Sequence, residues 1–211
     1  MRQRNIKDLD QKIRLNSTFL VDDPASCRGK WREVFAGNNP IYLEIGCGKG
    51  KFIAQRAEKF PQKNFIAIEG QSNVALRALE KAEKGHFENL RIFIDYVDDL
   101  GEYFAPGELA GIYLNFSDPW PKARHAKRRL TYKDKLMNYR SVLSSAGFIE
   151  FKTDNDGLFA FTIDQIRSAG MTIWEMTEDL AASTFESRLF TTEYEERFGS
   201  AGKNINYVKF K

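Results

Sequence analysis

The chain has 211 residues, 42% hydrophobic and 29% charged, a length that suits one domain and a composition that excludes collagen, coiled-coil arrays and long disordered tracts. No run reaches the ~18–20 apolar residues that span a bilayer, and the basic start MRQRNIKDLDQKIRL lacks the apolar stretch of a secretory signal, so no membrane association and a cytoplasmic location are expected. The formal charge is only +3, from 32 basic and 29 acidic residues, and points weakly at most to a polyanionic partner.

From about residue 40, short apolar runs alternate with longer amphipathic segments, the pattern of βαβ units around a parallel sheet. The first expected strand is Ile41–Ile45, with the continuous β-rich character of a strand buried on both faces and ending at a glycine-rich turn. Phe52, Ile53, Ala57 and Phe60 then recur at helical spacing until Pro61. A second strand, Phe65–Ile68, ends at Glu69-Gly70, and Val74, Ala78, Leu79 and Ala82 line a helix that closes at Gly85. The third strand is Leu90–Ile94, followed by Asp95, and the fourth is Gly111–Phe116, which runs into Asp118-Pro119-Trp120-Pro121. A helix from Tyr132 to Ser145, a fifth strand Phe148–Lys152, a helix Leu158–Ser168 and strands Met171–Glu175 and Ile205–Phe210 complete the pattern. The first 39 residues and the stretch from Asp179 to Gly202 lack sheet periodicity and read as arms or loops. The expectation is one α/β domain, a mostly parallel doubly wound Rossmann-like sheet with an antiparallel C-terminal strand.

Three glycines, Gly46, Gly48 and Gly50, follow the first strand, where a doubly wound sheet binds an adenosine-containing ligand. The dinucleotide fingerprint G-x-G-x-x-G fails because the third glycine comes one residue early. A phosphate-binding Walker loop fails because Phe52 stands where a hydroxyl residue would hold magnesium. What remains distinctive is Glu44, two residues before the first glycine. A glycine-rich turn alone also serves as a tight connection; the acids Glu44, Glu69 and Asp95 on the first three strands favour the binding reading.

After the fourth strand, Lys122, Arg124, Lys127, Arg128 and Arg129 crowd together with no acid among them. Mutual repulsion keeps such a cluster at the surface, at the sheet edge where these folds bind ligands, so it reads as a phosphate-binding patch. Two histidines, His86 and His125, and two separated cysteines, Cys27 and Cys47, supply no metal-ligand set and no disulfide framework; both cysteines are expected as free thiols.

The acidic-x-G-x-G-x-G turn resembles the first motif of class I S-adenosylmethionine-dependent methyltransferases. LEIGCGKG, NFSDPWPKARHAKRRL, FKTDN and TEYE in this order are together similar to the bacterial tRNA (guanine-N7-)-methyltransferases, over nearly the whole chain. The resemblance implies methyl transfer from S-adenosylmethionine to N7 of a guanine in the tRNA variable loop. It implies cofactor contacts at Glu44, Gly46, Gly48, Glu69, Asp95 and Asp118, with Asp98 a competitor for the role of Asp95. RNA contacts are implied at Arg124, His125, Ala126, Lys127, Arg128 and Arg129, and substrate contacts at Lys122, Asp154, Thr192, Glu193, Tyr194 and Glu195. Asp118 is the first choice for a catalytic carboxylate that binds the guanine edge, and Asp154 the second. Trp120 either stacks on the base or plugs its loop against the core. The basic N-terminal arm, with Arg2, Arg4, Lys7, Lys12 and Arg14, offers a further tRNA contact. Either a monomer or a homodimer is compatible with the sequence.

Overall fold

The computed structural model describes residues 6–198 and 203–211. In chain order the helices and strands are α1 (Leu9–Leu15), α2 (Trp31–Val34), β1 (Ile41–Ile45), α3 (Lys51–Lys59), β2 (Asn64–Ile68), α4 (Ser72–Gly85), β3 (Leu90–Phe93), β4 (Leu109–Asn115), α5 (Lys133–Val142), β5 (Leu143–Thr153), α6 (Asp156–Ser168), β6 (Ile173–Thr177), α7 (Glu193–Phe198) and β7 (Asn206–Phe210). The seven strands form one sheet in the order β3-β2-β1-β4-β5-β7-β6. Strands β1 to β5 pair in parallel, and β7 runs antiparallel to both β5 and β6. The expected α/β architecture is therefore present, and the order reverses direction between β1 and β4, where open α/β sheets place their ligands.

Helices cover both faces, which explains why β1 and β2 are mostly apolar rather than alternating: all ten of their residues are buried, Glu44 and Asn64 being the polar exceptions. One face packs Leu43, Ile66, Ile112 and Phe151 against Leu136 and Tyr139 of α5 and Leu158 and Ile163 of α6. The other packs Tyr42, Phe65, Ala67 and Tyr113 against Phe52, Ile53, Ala78 and Leu79 of α3 and α4.

The boundaries differ from the sequence reading where local chemistry overrides periodicity. Phe116 falls outside β4 because its φ of 50° is left-handed and cannot continue a strand. The fifth strand begins five residues earlier than expected, so the helix before it stops at Val142; a register shift against β4 between Leu109 and Gly111 accommodates the added residues. Strand β6 lies two residues later than expected, and Asn155 caps α6 by accepting the Leu158 N–H at 2.8 Å.

Neither segment read as a loose arm is loose where it is described. Ile92 of β3 bonds with Phe19 and Val21 on both sides of Leu20, and Trp31 is fully buried, stacked between Phe93 and Phe104 with its indole N–H on the Tyr103 carbonyl. Trp31 is a single aromatic anchor, which periodicity cannot register. Arg2 and Arg4 lie outside the described residues, as do residues 199–202 of the second segment. In the described part of that segment, Arg56 is buried under Phe190 and bonds Glu186 at 2.8 Å, and the buried Lys152 ammonium donates to the carbonyls of Ser187 and Phe190. Burial lowers the Lys152 pKa to about 8.

Candidate active site

The strand ends at the reversal point enclose a cleft of about 410 Å³. Ile45 and Gly46 form its floor, Glu69 and Gly70 one side, Asp95 to Asp98 the end, and Asn115 to Asp118 with Trp120 the opposite wall. Gly46 and Gly48 have φ of 75° and 59°, and a Cβ on either would point into open space. Gly50 differs: at φ 78° its missing Cβ would lie 2.7 Å from the Ala78 Cβ, so this glycine lets α3 approach α4.

Glu69 holds the glycine turn. One carboxylate oxygen accepts the Gly48 N–H and the other the Gln71 N–H, both at 3.0 Å. Asp95 accepts the Tyr103 hydroxyl and its neighbour's amide N–H at 2.7 Å each, whereas Asp98 is fully exposed and pairs with Lys135 at 3.0 Å. Both acids line the cleft. Glu44 lies beneath the turn, buried, accepting the Asn115 amide at 2.8 Å with its other oxygen unpartnered among the described residues. Burial raises its pKa to about 8. It belongs to no part of the cleft wall, and neither does Gly48.

A second cavity of about 300 Å³ adjoins the cleft and is lined by Phe116, Ser117, Asp118, Pro119, Thr153, Asp154, Asn155, Tyr194 and Lys203. The two cavities share the wall Phe116-Ser117-Asp118. The Ser117 hydroxyl is buried there without a hydrogen-bond partner among the described residues. Tyr194 reaches across this side pocket, its hydroxyl donating to Asp154 at 3.1 Å and its ring 5.0 Å from that of Phe116. Asp118 and Asp154, far apart in sequence, thus line one pocket.

The TEYE stretch is a capping box that opens α7. The Thr192 hydroxyl accepts the Glu195 N–H at 3.1 Å, and the Glu195 carboxylate accepts the Thr192 N–H at 2.7 Å. Of its four residues only Tyr194 lines the pocket. Glu193 faces the other way, pairing with Lys81 at 2.6 Å and accepting the Lys51 N–H at the start of α3 at 3.3 Å. Lys51 also pairs with Glu196. The sequence contained the T-x-x-E signal for this cap.

The basic run forms a 3₁₀ turn from Ala123 to Arg128, with Lys122 exposed at its start. Arg129 is turned inward, donating to the carbonyls of Pro119 and Trp120 at 2.9 and 3.0 Å and covering the Phe161 ring. The Arg128 guanidinium lies 4.9 Å over the Trp120 ring, against which His125 packs edge-on. Ala126 is half-buried. Lys122, Arg124, Lys127 and Arg128 are exposed. Of the five cations, Arg129 alone is turned inward to fasten the loop; the other four are exposed, and Arg128 also covers the Trp120 ring. Trp120 has one face under Arg128 and also lines the cleft. Lys7, Lys12 and Arg14 of the N-terminal segment lie on or beside α1, which packs against α4. Sequence reasoning missed Phe116, Ser117 and Tyr96; a bulky residue at left-handed φ leaves no mark in composition or spacing.

Cys27 and Cys47 are unpaired thiols, and among the described residues no three His, Cys, Asp or Glu side chains are grouped to hold a metal. Among the same residues, no helix is long and apolar enough to cross a membrane.

The sequence matches the family described as "Putative methyltransferase" over residues 38–208. It is 48% identical over 210 residues to the tRNA (guanine-N(7)-)-methyltransferase of Brevibacillus brevis, covering 99% of this chain and 97% of the relative. It is 46% identical to the protein of that name from Lachnoclostridium phytofermentans, covering 98% and 96%. Among solved structures, a 16S rRNA methyltransferase superposes with a TM-score of 0.64 at 11% identity, covering 86% of this chain and 91% of that one. An Aquifex aeolicus SAM-dependent methyltransferase superposes at 0.56 with 11% identity, covering 97% and 98%. At such identities the likeness concerns the fold.

Proposed function

The chain belongs to the family of the tRNA (guanine-N(7)-)-methyltransferases, and on that premise we propose that it methylates N7 of a guanine in the variable loop of tRNA, with S-adenosylmethionine as methyl donor, in the cytoplasm. The observation that carries the site assignment is the wall Phe116-Ser117-Asp118, which the glycine-turn cleft and the side pocket share. One cavity suits the donor, the other the target base, and Asp118 stands between them.

The residues of the cleft fit S-adenosylmethionine. Gly46 in the cleft and Gly48 beside it leave open space where side chains would stand, Glu69 presents a carboxylate at the end of β2 for ribose hydroxyls, and the buried Ser117 hydroxyl has no hydrogen-bond partner among the described residues. A dinucleotide fits less well, because the start of α3, where a pyrophosphate would sit, is met by the Glu193 carboxylate. Gly46, Gly48, Glu69, Asp95 and Asp118 are the proposed donor contacts. The buried Glu44 acts from below through Asn115, its other oxygen being without a hydrogen-bond partner among the described residues.

When bound, S-adenosylmethionine supplies an electrophilic methyl group. Guanine N7 has an exposed lone pair and no proton, so no residue of the chain has to act as a general base to generate the nucleophile. The chain's task is alignment, which supplies ~7–11 kcal/mol in favourable cases. Asp118, with Asp154 across the pocket, accepts hydrogen bonds from the N1–H and amino group of guanine and offsets the positive charge that builds on the purine. Thr192 and Glu195 set the position of Tyr194 through the capping box. Lys122 and the exposed side chains of Arg124, Lys127 and Arg128 take tRNA phosphates, on a loop fastened by Arg129 with His125 and Ala126 packed within it.

Methyl transfer to unmodified tRNA, followed by chemical cleavage at 7-methylguanosine, tests this reading. A single cleavage in the variable loop is expected; methylation elsewhere, or none, overturns it. Asp118→Ala should lower turnover more than tRNA affinity, and equal losses would mean a binding role alone.

A further inference from the structure

Phe116 is a bulky residue with φ of 50°, a conformation that costs on the order of 1–3 kcal/mol and persists only where the surroundings impose it. Its amide is pinned by the Lys152 carbonyl at 2.9 Å, directly after β4 ends. The consequence is positional: the ring lines both the donor cleft and the side pocket, and no other aromatic residue does so among the described residues. Trp120, the other aromatic of this loop, has one face under the Arg128 guanidinium. The Tyr194 ring lies over Phe116 at 5.0 Å and a 30° tilt, with its hydroxyl on Asp154. Tyr194 therefore occupies an aromatic-lined slot and satisfies one of its carboxylates, as a planar base bearing N–H donors would.

We propose that Phe116 is the platform on which the target guanine stacks, and that Tyr194 fills the base's place until tRNA displaces it. The assignment rests on the reading of the chain as a tRNA guanine methyltransferase. The backbone strain then has a use: it aims the ring at the position where both cavities meet. Stacking fixes the plane of the purine, and the carboxylates of Asp118 and Asp154 fix its rotation within that plane.

The test compares Phe116→Leu, Phe116→Tyr and Phe116→Gly in full-length protein. Loss of the stacking face should lower kcat with tRNA by roughly 10- to 100-fold in the Leu variant. The dissociation constant for tRNA should stay within about 2- to 3-fold, since the basic loop is intact, and kcat should fall by more than any change in S-adenosylmethionine affinity, because Phe116 lines the donor cleft without supplying a polar contact to it. Tyr keeps the aromatic face and should retain most of the turnover. Gly relieves the left-handed strain and loses the ring, so it should fold at least as well as Leu and be as slow. A Leu variant with wild-type kcat, or a Tyr variant as impaired as Leu, overturns the proposal. If the wild-type protein forms no 7-methylguanosine, the underlying reading fails instead; if the wild type is active and Leu is equally active, this proposal fails alone.

Discussion

Glu69 accepts the Gly48 amide at 3.0 Å, so the end of β2 fastens the turn that follows β1. Its second oxygen is held by the Gln71 amide. The side chain thus shapes the glycine-turn cleft before any ligand arrives and presents lone pairs to it. Glu69→Ala removes both functions, and S-adenosylmethionine affinity should fall by ~10-fold or more, the loss of one to two charge-assisted hydrogen bonds. Titration calorimetry reads this directly. Affinity for tRNA should not move; a parallel loss there would mean that the turn supports the RNA surface as well.

The two glycines Gly48 and Gly50 should separate in their effects. Alanine at Gly50 combines left-handed strain with a Cβ 2.7 Å from Ala78, so α3 must move off α4, and a loss of more than ~2 kcal/mol in urea unfolding is expected. Alanine at Gly48 meets nothing within 4 Å and carries only the strain, about 1–2 kcal/mol. Its effect should appear in donor affinity. If Gly48→Ala proves the less stable of the two, the division between cradle and packing glycine is wrong.

Much of the frame was legible because the sheet is buried on both faces: the runs at 41–45 and 65–68 have no polar alternation to confuse, and glycines and acids mark their ends. The glycine turn, Glu69 and the basic run stood out as residue types whose spacing has a chemical reason, whereas Asp118 was expected from the family resemblance. What escaped was set by tertiary contact. Glu193 turns to Lys81 and the α3 terminus, although its neighbour Tyr194 faces the pocket, because a helical residue points about 100° away from the next. Arg129 looked equivalent to Lys127 in the charge run, yet it faces the Pro119 and Trp120 carbonyls. Phe116 carries no sequence signal for its left-handed backbone.

That difference between Arg129 and Lys127 is measurable. Lys127→Ala should weaken tRNA binding modestly and reduce the slope of log K against log salt by about one phosphate contact, with no change in Tm. Arg129→Ala leaves two backbone carbonyls without a charged donor and should lower stability by ~1.5–3 kcal/mol. Lysine at 129 cannot reproduce the fork and should rescue little. A Lys127 variant with an unchanged salt slope would remove that side chain from the RNA surface.

Glu44 predicts an inverted pH dependence. Burial raises its carboxyl to about 8 in the folded chain, despite the Asn115 hydrogen bond that opposes the shift, while the unfolded chain releases the proton near the ordinary value of 4.5. Between those values the folded state holds one more proton than the unfolded state, so this group's contribution is full below 4.5 and is lost as pH rises through about 8. Glu44→Gln keeps an acceptor for Asn115 and has nothing to ionise. Its stability relative to wild type, from urea unfolding at a series of pH values, should therefore improve steadily from about pH 5 to 8 and level off above. A difference that is flat across this range would mean that Glu44 is ionised in the folded chain, with a cation or solvent reaching the oxygen that has no partner among the described residues.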